Sequence, residues 1–311
     1  MAMHCIGIDL GGTTIKFGLF NLEGHLIDKW QTQTDTSEKG KYILRDIATS
    51  MKEKLDKLQI NISILKGIGM GVPGLVTSDG VVTAAVNLGW TNVSVAQELA
   101  ELMGIPVKVG NDANAAALGE MWQGSGRGHK NLVMITLGTG IGGGVIVEGK
   151  IVSGMCGAAG EFGHIPIVHD ETEICRCGRK GCLEQAASAK GIVKEAKRLL
   201  EESTVTSLLR GMENISSHSI FEAAKAGDKI AVQAVERAGK FLGIAMATIT
   251  GVLDPEIYII GGGVSNAGQY LIDIIEKYYR KNVLYASKDT KITLAELGND
   301  AGIYGAARMI W

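Results

Sequence analysis

A glycine-rich turn near the middle of the chain is the first feature whose residues could do chemistry. The segment ITLGTGIGGGVIV, residues 135–147, has Gly138, Gly140 and Gly143 at the GxGxxG spacing of dinucleotide sites. In those sites the third glycine opens a helix whose N-terminal amides hold the pyrophosphate. Here the β-branched run from Val145 follows instead, which predicts strand, turn, strand. Such a turn can offer backbone amides to a phosphate, or it can be a plain hairpin.

A second turn of the same kind lies near the N-terminus, in IDLGGTTIKFGLF, residues 8–20. Each turn follows a strand and precedes a second strand, a short turn containing Glu-Gly, and a third strand. This likeness predicts a duplicated fold with two α/β domains facing one another. A nucleotide clamped between two phosphate turns is the simplest ligand, and the alternative is that one turn is only architectural.

Helices and strands alternate after each triple strand. Apolar periodicity predicts helices at residues 42–58, 95–103, 188–201, 216–226, 228–252, 265–281 and 301–311, and strands at 66–72, 106–112 and 256–261. An α/β fold of two domains follows from this pattern and from the length of 311 residues.

Composition narrows the class of partner. The chain is 46% hydrophobic with a formal net charge of −2, which argues against nucleic acid or an anionic membrane as the main partner and for a small molecule. The longest apolar run, residues 241–253, is shorter than the roughly 20 residues that span a bilayer. The first strand starts without a signal sequence, so we expect a cytoplasmic protein.

Three of the five cysteines crowd together, and this could be a second chemical site. Cys175, Cys177 and Cys182 lie within eight residues. An odd number of cysteines in a cytoplasmic chain argues against a disulfide framework and favours a metal or reactive site. His164 or His169 could complete a four-ligand zinc set on spacing alone, and a reduced surface cluster is the alternative.

Five motifs together resemble one family. DLGGTTIK (9–16), LGTGIGGG (137–144), GEFGH (160–164), CRCGRKGCLE (175–184) and GGGVS (261–265) are similar in order and spacing to the ROK family of sugar kinases and repressors, within it to the bacterial ATP-dependent glucokinases. The resemblance implies the duplicated ribonuclease-H-like (actin-like ATPase/hexokinase) fold, with a cleft between two α/β domains, and a homodimer or homotetramer.

The domain limits expected from this resemblance are 1–120 plus 300–311 for the N-terminal domain and 121–299 for the C-terminal domain. We expect the first glycine turn and the catalytic carboxylate in the former. The second turn, the zinc motif, the adenosine motif and the oligomer contacts are expected in the latter. The DNA-binding segment of the family's repressors is not expected, because the phosphate motif begins at residue 9.

The implied reaction is ATP- and Mg²⁺-dependent phosphorylation of the 6-hydroxyl of a hexose, with glucose as the first candidate. N-acetylmannosamine, fructose, mannose and allose are alternative substrates, polyphosphate is an alternative donor, and a non-catalytic sugar sensor is the alternative function. Asp112 is implied as the general base. The alternative is that Asp112 only caps the N-terminus of the helix, a position that suits aspartate.

The remaining residues are assigned by the same resemblance. The implied sugar-binding residues are Gly74, Asn87, Asn111, Asp112, Glu161, His164 and Glu184. Those implied for ATP and Mg²⁺ are Asp9, Gly11, Gly12, Thr13, Thr14, Lys16, Gly138, Thr139, Gly140, Gly261, Gly262 and Gly263, although Asp9 could merely cap its turn and Lys16 could be only solvated. A structural Zn²⁺ is implied on His164, Cys175, Cys177 and Cys182, with His164 preferred to His169.

Overall fold

The computed structural model describes residues 4–311 and divides the chain into two compact units. Of the described residues, the first comprises 4–130, Gly144–Gly160 and Glu296–Trp311, and the second comprises Asn131–Gly143 and Glu161–Ala295. None of the helices among residues 4–311 combines the length and the apolar character needed to cross a membrane.

The N-terminal part of the chain builds a five-stranded sheet with helices. Its elements are β1 (His4–Leu10), β2 (Thr14–Asn21), β3 (Leu26–Gln33), α1 (Ile43–Lys57), β4 (Leu65–Val72), β5 (Leu75–Val76), β6 (Val82–Ala85), β7 (Trp90–Val93), α2 (Val95–Met103), β8 (Val107–Asn111) and α3 (Asp112–Gln123). The strand order is β3-β2-β1-β4-β8, and β5, β6 and β7 form a small separate sheet. β1 is antiparallel to β2 and parallel to β4, which is parallel to β8.

The rest of the chain repeats this plan with more helix. Its elements are β9 (Leu132–Leu137), β10 (Ile141–Val147), β11 (Lys150–Ile151), α4 (Leu183–Ala187), α5 (Ala189–Glu202), α6 (Ser217–Lys225), α7 (Lys229–Leu253), β12 (Ile257–Gly261), α8 (Gln269–Asn282), β13 (Lys291–Leu294) and α9 (Ala301–Arg308). The strand order is β11-β10-β9-β12-β13.

The two sheets share one topology, which confirms the duplication predicted from the glycine turns. In both, a triple-stranded meander is extended on the side of its first strand by two further strands, and the first of these, β4 or β12, is parallel to that strand. The turn between the first two strands has the same length in each copy, residues 11–13 and residues 138–140.

Helices pack against the sheet of the first unit, and one of these contacts is so close that it requires a glycine. The interior face of α1 buries Ile43, Ile47 and Met51 against the apolar residues of β1 and β2. On the other side of the sheet, α9 packs so closely that a Cβ at Gly69 of β4 would lie 1.7 Å from the carbonyl oxygen of Ala306. A larger residue at this position would push the C-terminal helix off the sheet.

A buried carboxylate joins α3 to the segment that precedes α9. Glu120 is 0% exposed. It accepts hydrogen bonds from the backbone N–H of Ser125 at 2.9 Å and from those of Glu296 at 3.0 Å and Leu297 at 2.8 Å. The Ser125 hydroxyl donates a further bond at 3.1 Å. Because a carboxylate only accepts hydrogen bonds, it suits a pocket lined with donors.

The start of α8 differs from the sequence prediction. The helix begins at Gln269 rather than near residue 265, and a short 3-10 helix, Gly263–Ala267, precedes it. Gly268 separates the two with φ of +75°, a conformation that cannot continue a right-handed helix. The apolar pattern runs through both segments, so periodicity alone does not detect the break.

Candidate active site

The carboxyl ends of β1, β4 and β8 meet at one edge of the first sheet, because these strands are parallel neighbours. The first glycine turn, the loop containing Gly74 and the start of α3 all follow these ends. The predicted site residues of the first unit therefore converge on one edge, although their spacing along the sequence is wide.

The first glycine turn presents its tip to solvent. The N–H of Gly11 donates to the carbonyl of Thr14 at 3.0 Å, which closes the turn. Thr34 makes two further hydrogen bonds to the turn: its hydroxyl donates to the carbonyl of Gly11 at 2.7 Å, and its N–H donates to the carbonyl of Thr13 at 2.9 Å. Gly12 and Thr13 are exposed between these anchors. A rigid base with an exposed tip is suited to binding phosphate oxygens through the backbone.

Asp9 lies at the base of the same turn and is paired with Lys16. The two residues are opposite one another in the antiparallel β1 and β2, and their side-chain N and O atoms are 3.7 Å apart. Lys16 also donates to the carbonyl of Asn299 at 3.0 Å, so it is more than a solvated residue. Burial raises the pKa of the Asp9 carboxyl, and the Lys16 ammonium offsets part of that rise.

Asn111, not Asp112, is the N-cap of α3. Its Oδ1 accepts from the N–H groups of Ala113 at 2.9 Å and Asn114 at 3.1 Å, and its Nδ2 donates to the carbonyl of Gly74 at 3.0 Å. One amide hydrogen remains for a ligand. Asp112 occupies the first helical position, with Oδ1 at 2.8 Å from the N–H of Ala113. Its role is thus not the helix cap that was the alternative prediction.

Gly74 and Asn87 are brought to the same edge. Gly74 has φ of +108°, and a Cβ there would lie 2.1 Å from the carbonyl oxygen of Ala84, so only glycine fits. Asn87 is exposed, and a Cβ added to Gly12 would lie 3.6 Å from its side chain. The structure therefore places Asn87 beside the first glycine turn.

The second glycine turn is held by Glu184, which the sequence predicts only as a sugar ligand. Glu184 Oε2 accepts from the N–H of Ile141 at 2.9 Å, and a Cβ on Gly140 would lie 2.2 Å from that oxygen. At the other side of the turn, the carbonyl of Gly138 accepts from the N–H of Ala189 at 2.9 Å. Glu184 thus couples the second turn to α4.

The third glycine motif lies next to the second turn. β12 and β9 are parallel neighbours, so their carboxyl ends share an edge. Gly262 has φ of +82°, and a Cβ there would lie 2.5 Å from the carbonyl oxygen of Leu137. Gly263 meets nothing within 4 Å of an added Cβ. The close approach at Gly262 joins two of the predicted nucleotide motifs.

A groove of about 970 Å³ lies between the second glycine turn and α5. Thr139 of the second glycine turn lines it together with Ala189, Lys190, Val193 and Lys194 of α5. Its size is in the range of small-molecule sites. Sequence reasoning missed these helix residues, and the available signal was Ser188, which caps α5 through a 3.2 Å hydrogen bond to Gly191 N–H.

His164 and the three cysteines form the predicted metal cluster. One ligand atom from each of the four residues lies within 4.8 Å of the others, and His169 is not part of the group. His164 Nδ1 is 3.7 Å from Cys175 Sγ, and the Sγ atoms of Cys177 and Cys182 are 3.5 Å apart. Tetrahedral zinc with Zn–S bonds of about 2.3 Å separates its sulfur ligands by about 3.8 Å. The donor set and its spacing therefore fit a structural zinc ion.

The thiols of the cluster differ in acidity. Hydrogen bonds from the backbone and side chain of Arg179 lower the pKa of Cys177 to about 6, whereas burial raises the pKa of Cys182 to about 12. Cys182 is also the N-cap of α4, where its N–H donates to Gln185 Oε1 at 3.1 Å. The cluster is thereby tied to the short helix that carries Glu184.

The two ring nitrogens of His164 face different groups. Nδ1 points to the thiols, while Nε2 is 4.0 Å from Glu161 Oε2. A metal on Nδ1 would leave Nε2 as an N–H donor on the side of Glu161. The side chains of His164 and Glu161 are 26% and 43% exposed, so a ligand can reach both.

Comparisons with known proteins give one family. The chain is 39% identical to a glucokinase of Halalkalibacterium halodurans over 98% of this chain and 94% of that protein. It is 30% identical to a xylose repressor of Caldicellulosiruptor bescii over 98% of this chain and 77% of the repressor. A crystal structure of a ROK family glucokinase from Streptomyces griseus, in complex with glucose and AMPPNP, has a TM-score of 0.79 and 34% identity, with 98% of each chain covered.

These likenesses confirm the predicted fold class, the duplicated actin-like ATPase/hexokinase fold. They extend over nearly all of the chain rather than over isolated motifs, and residues 5–311 match the ROK family as a whole. The chain belongs to the ROK family.

Proposed function

We propose that the protein transfers the γ-phosphoryl group of ATP to the 6-hydroxyl of a hexose, with glucose as the preferred substrate. The observation that carries this proposal is the placement of Asp112. It starts α3 at the sheet edge that also holds the first glycine turn, and the capping of that helix by Asn111 leaves Asp112 in the first helical position. A carboxylate next to a phosphate-binding turn is what a sugar kinase requires.

Asp112 acts as the general base in this proposal. As the sugar oxygen forms its bond to the γ-phosphorus, the bond from that phosphorus to the bridging oxygen of ADP breaks, and the hydroxyl proton passes to Asp112. Mg²⁺, when bound, neutralises charge on the phosphates, and Asp9 is the residue that would hold it, directly or through water. The exposed amides of Gly12 and Thr13 bind phosphate oxygens.

Sugar hydroxyls are bound by groups that can each make directed hydrogen bonds. Glu161 accepts from hydroxyls, and the Nε2–H of His164 donates to one, as the arrangement of its two nitrogens supports. Asn87, Asn111 and Glu184 complete the set. Because Asn111 and Glu184 are already bonded to backbone groups, their remaining hydrogen-bonding positions have fixed directions, which favours one arrangement of hydroxyls.

Zinc has a structural role in this scheme. It would hold His164 in the tautomer that presents Nε2–H to the sugar, and it would fix the loop that leads into α4 and Glu184. The nucleotide is bound by Gly138–Gly140 and Gly261–Gly263, and the groove along α5 offers space for its base and ribose. We further propose a cytoplasmic homodimer or homotetramer, for which the exposed Val252, Leu284 and Tyr285 are candidate contacts.

A coupled assay of ADP release tests the function. Purified protein is supplied with ATP and Mg²⁺ and a panel of glucose, mannose, fructose, allose and N-acetylmannosamine. We expect glucose to give the highest kcat/KM and the product to carry phosphate on the 6-hydroxyl by NMR. A different best hexose would change the substrate within the same activity. No stimulation by any sugar, together with measurable sugar binding, would identify a sensor rather than an enzyme.

A further inference from the structure

A second groove of about 640 Å³ lies wholly within the first unit. β8 and Leu118 of α3 form one part of its wall. The turn at Ser78–Gly80, Ala96 of α2, the segment Gly149–Ile151, the last residue of α9, Arg308, and the C-terminal Met309 and Trp311 form the rest. Its volume is within the range for small organic ligands.

The groove is positively charged. Three cationic side chains, Lys108, Lys150 and Arg308, line it, against the side-chain carboxylate of Asp79 and the α-carboxylate of Trp311, the last residue of the sequence. This gives a net of one positive charge in a chain whose formal net charge is −2. Among residues 4–311 none of the three cations takes part in an ion pair, and the nearest aromatic contact of Arg308 is the Trp122 ring, 6.0 Å away. The charge is therefore available to an anionic ligand.

The floor of the same groove is apolar. Met309 is half-buried on the face of β8 that carries Lys108, Val107 and Val109 are half-buried on the opposite face, and Trp311 also lines the groove. The Trp311 ring is fixed by a 3.2 Å hydrogen bond from its Nε1–H to the carbonyl of Leu22. A ligand that fits both surfaces needs a small carbon body as well as negative charge.

We propose that this groove is a binding site for a small phosphate monoester. A phosphate monoester carries a charge of about −1.5 to −2 at pH 7, which the three cationic side chains of the lining can offset. Its phosphate lies among Lys108, Lys150 and Arg308, and its carbon body contacts Met309, on the same face of β8 as Lys108. Arg308 can form paired hydrogen bonds to two phosphate oxygens.

Ribose 5-phosphate is the probe, used with the full-length protein in the absence of ATP and hexose. Binding is measured by calorimetry and by tryptophan fluorescence, with the Trp311→Phe variant assigning the optical signal. We expect saturable binding, and affinity about tenfold weaker or more in the Lys150→Gln/Arg308→Gln double variant. The double variant Lys52→Gln/Lys57→Gln, which removes the same charge from the exposed face of α1, should bind as the unmodified protein does.

Three results would overturn the proposal. The first is no saturable binding at ligand concentrations up to about 10 mM. The second is equal affinity in the groove variant and the unmodified protein, which would place the ligand elsewhere. The third is equally tight binding of inorganic phosphate, which would remove any role for the carbon body. Thermal unfolding of each variant verifies the fold, and because neither nucleotide nor hexose is present, failure here is distinct from failure of the kinase assay.

Discussion

Replacement of Asp112 by asparagine separates catalysis from stability. The amide has nearly the same shape, and its Oδ1 can still accept the N–H of Ala113, which lies 2.8 Å from Oδ1 of Asp112. It cannot take a proton from the sugar hydroxyl. The change therefore removes the proposed base and leaves the start of α3 intact.

The expected effects differ greatly in size. Loss of a general base lowers kcat by about 10² to 10⁴, which is about 2.7 to 5.4 kcal/mol of barrier. Loss of the negative charge at the helix N-terminus costs only about 0.3 to 1 kcal/mol of folding free energy. Hexose affinity should weaken by less than about tenfold, since one hydrogen bond is altered.

Asn111→Ala is the matched control at the adjacent position. It removes the cap of α3 and the bond to the Gly74 carbonyl, so we expect a loss of about 1 to 3 kcal/mol in the free energy of unfolding. kcat is measured by ADP release, hexose affinity by calorimetry and stability by denaturant titration. A near-normal kcat for Asp112→Asn would refute the assignment of the base, and equal stability losses in both variants would refute the assignment of the cap.

Three further predictions follow from the same geometry. Chelation of zinc, or Cys177→Ser, should lower the melting temperature and weaken hexose binding; a metal-free preparation by elemental analysis with full activity would contradict the zinc site. Glu120→Ala should lower the free energy of unfolding by about 3 kcal/mol, because it empties a buried site and leaves several partly buried N–H donors without their acceptor. The exposed Glu222→Ala should change it by less than about 0.5 kcal/mol in denaturant titrations. Gly262→Ala should raise KM for ATP and destabilise the fold by more than about 1 kcal/mol, while Gly263→Ala, whose added Cβ meets no protein atom within 4 Å, should leave the stability of the fold unchanged.

Much of the fold could be predicted from sequence because local patterns encode it. The two glycine turns between apolar strands indicated a duplicated unit, and the observed strand orders agree. The three cysteines within eight residues likewise indicated a metal site, and the structure adds His164 rather than His169. The predicted start of α8 was wrong, because Gly268 interrupts a pattern that remains apolar on both sides.

The connections between distant residues could not be predicted in this way. Asn111 spans from the helix it caps to the carbonyl of Gly74, 37 residues earlier, and Glu184 binds the amide of Ile141, 43 residues earlier. Both side chains therefore have a positioning role that their sequence context does not reveal. The groove along α5 is likewise assembled from segments that share no motif.

The sequence by itself determined which groups are present: the glycines that permit close backbone approach, the carboxylates and the thiol cluster. Only the tertiary structure decided which of their atoms are already bonded and which remain for a ligand. The physical reason is that hydrogen-bond donors and acceptors are satisfied by whichever partner the parallel strands bring to the same sheet edge, and that partner is set by topology rather than by neighbours in the chain.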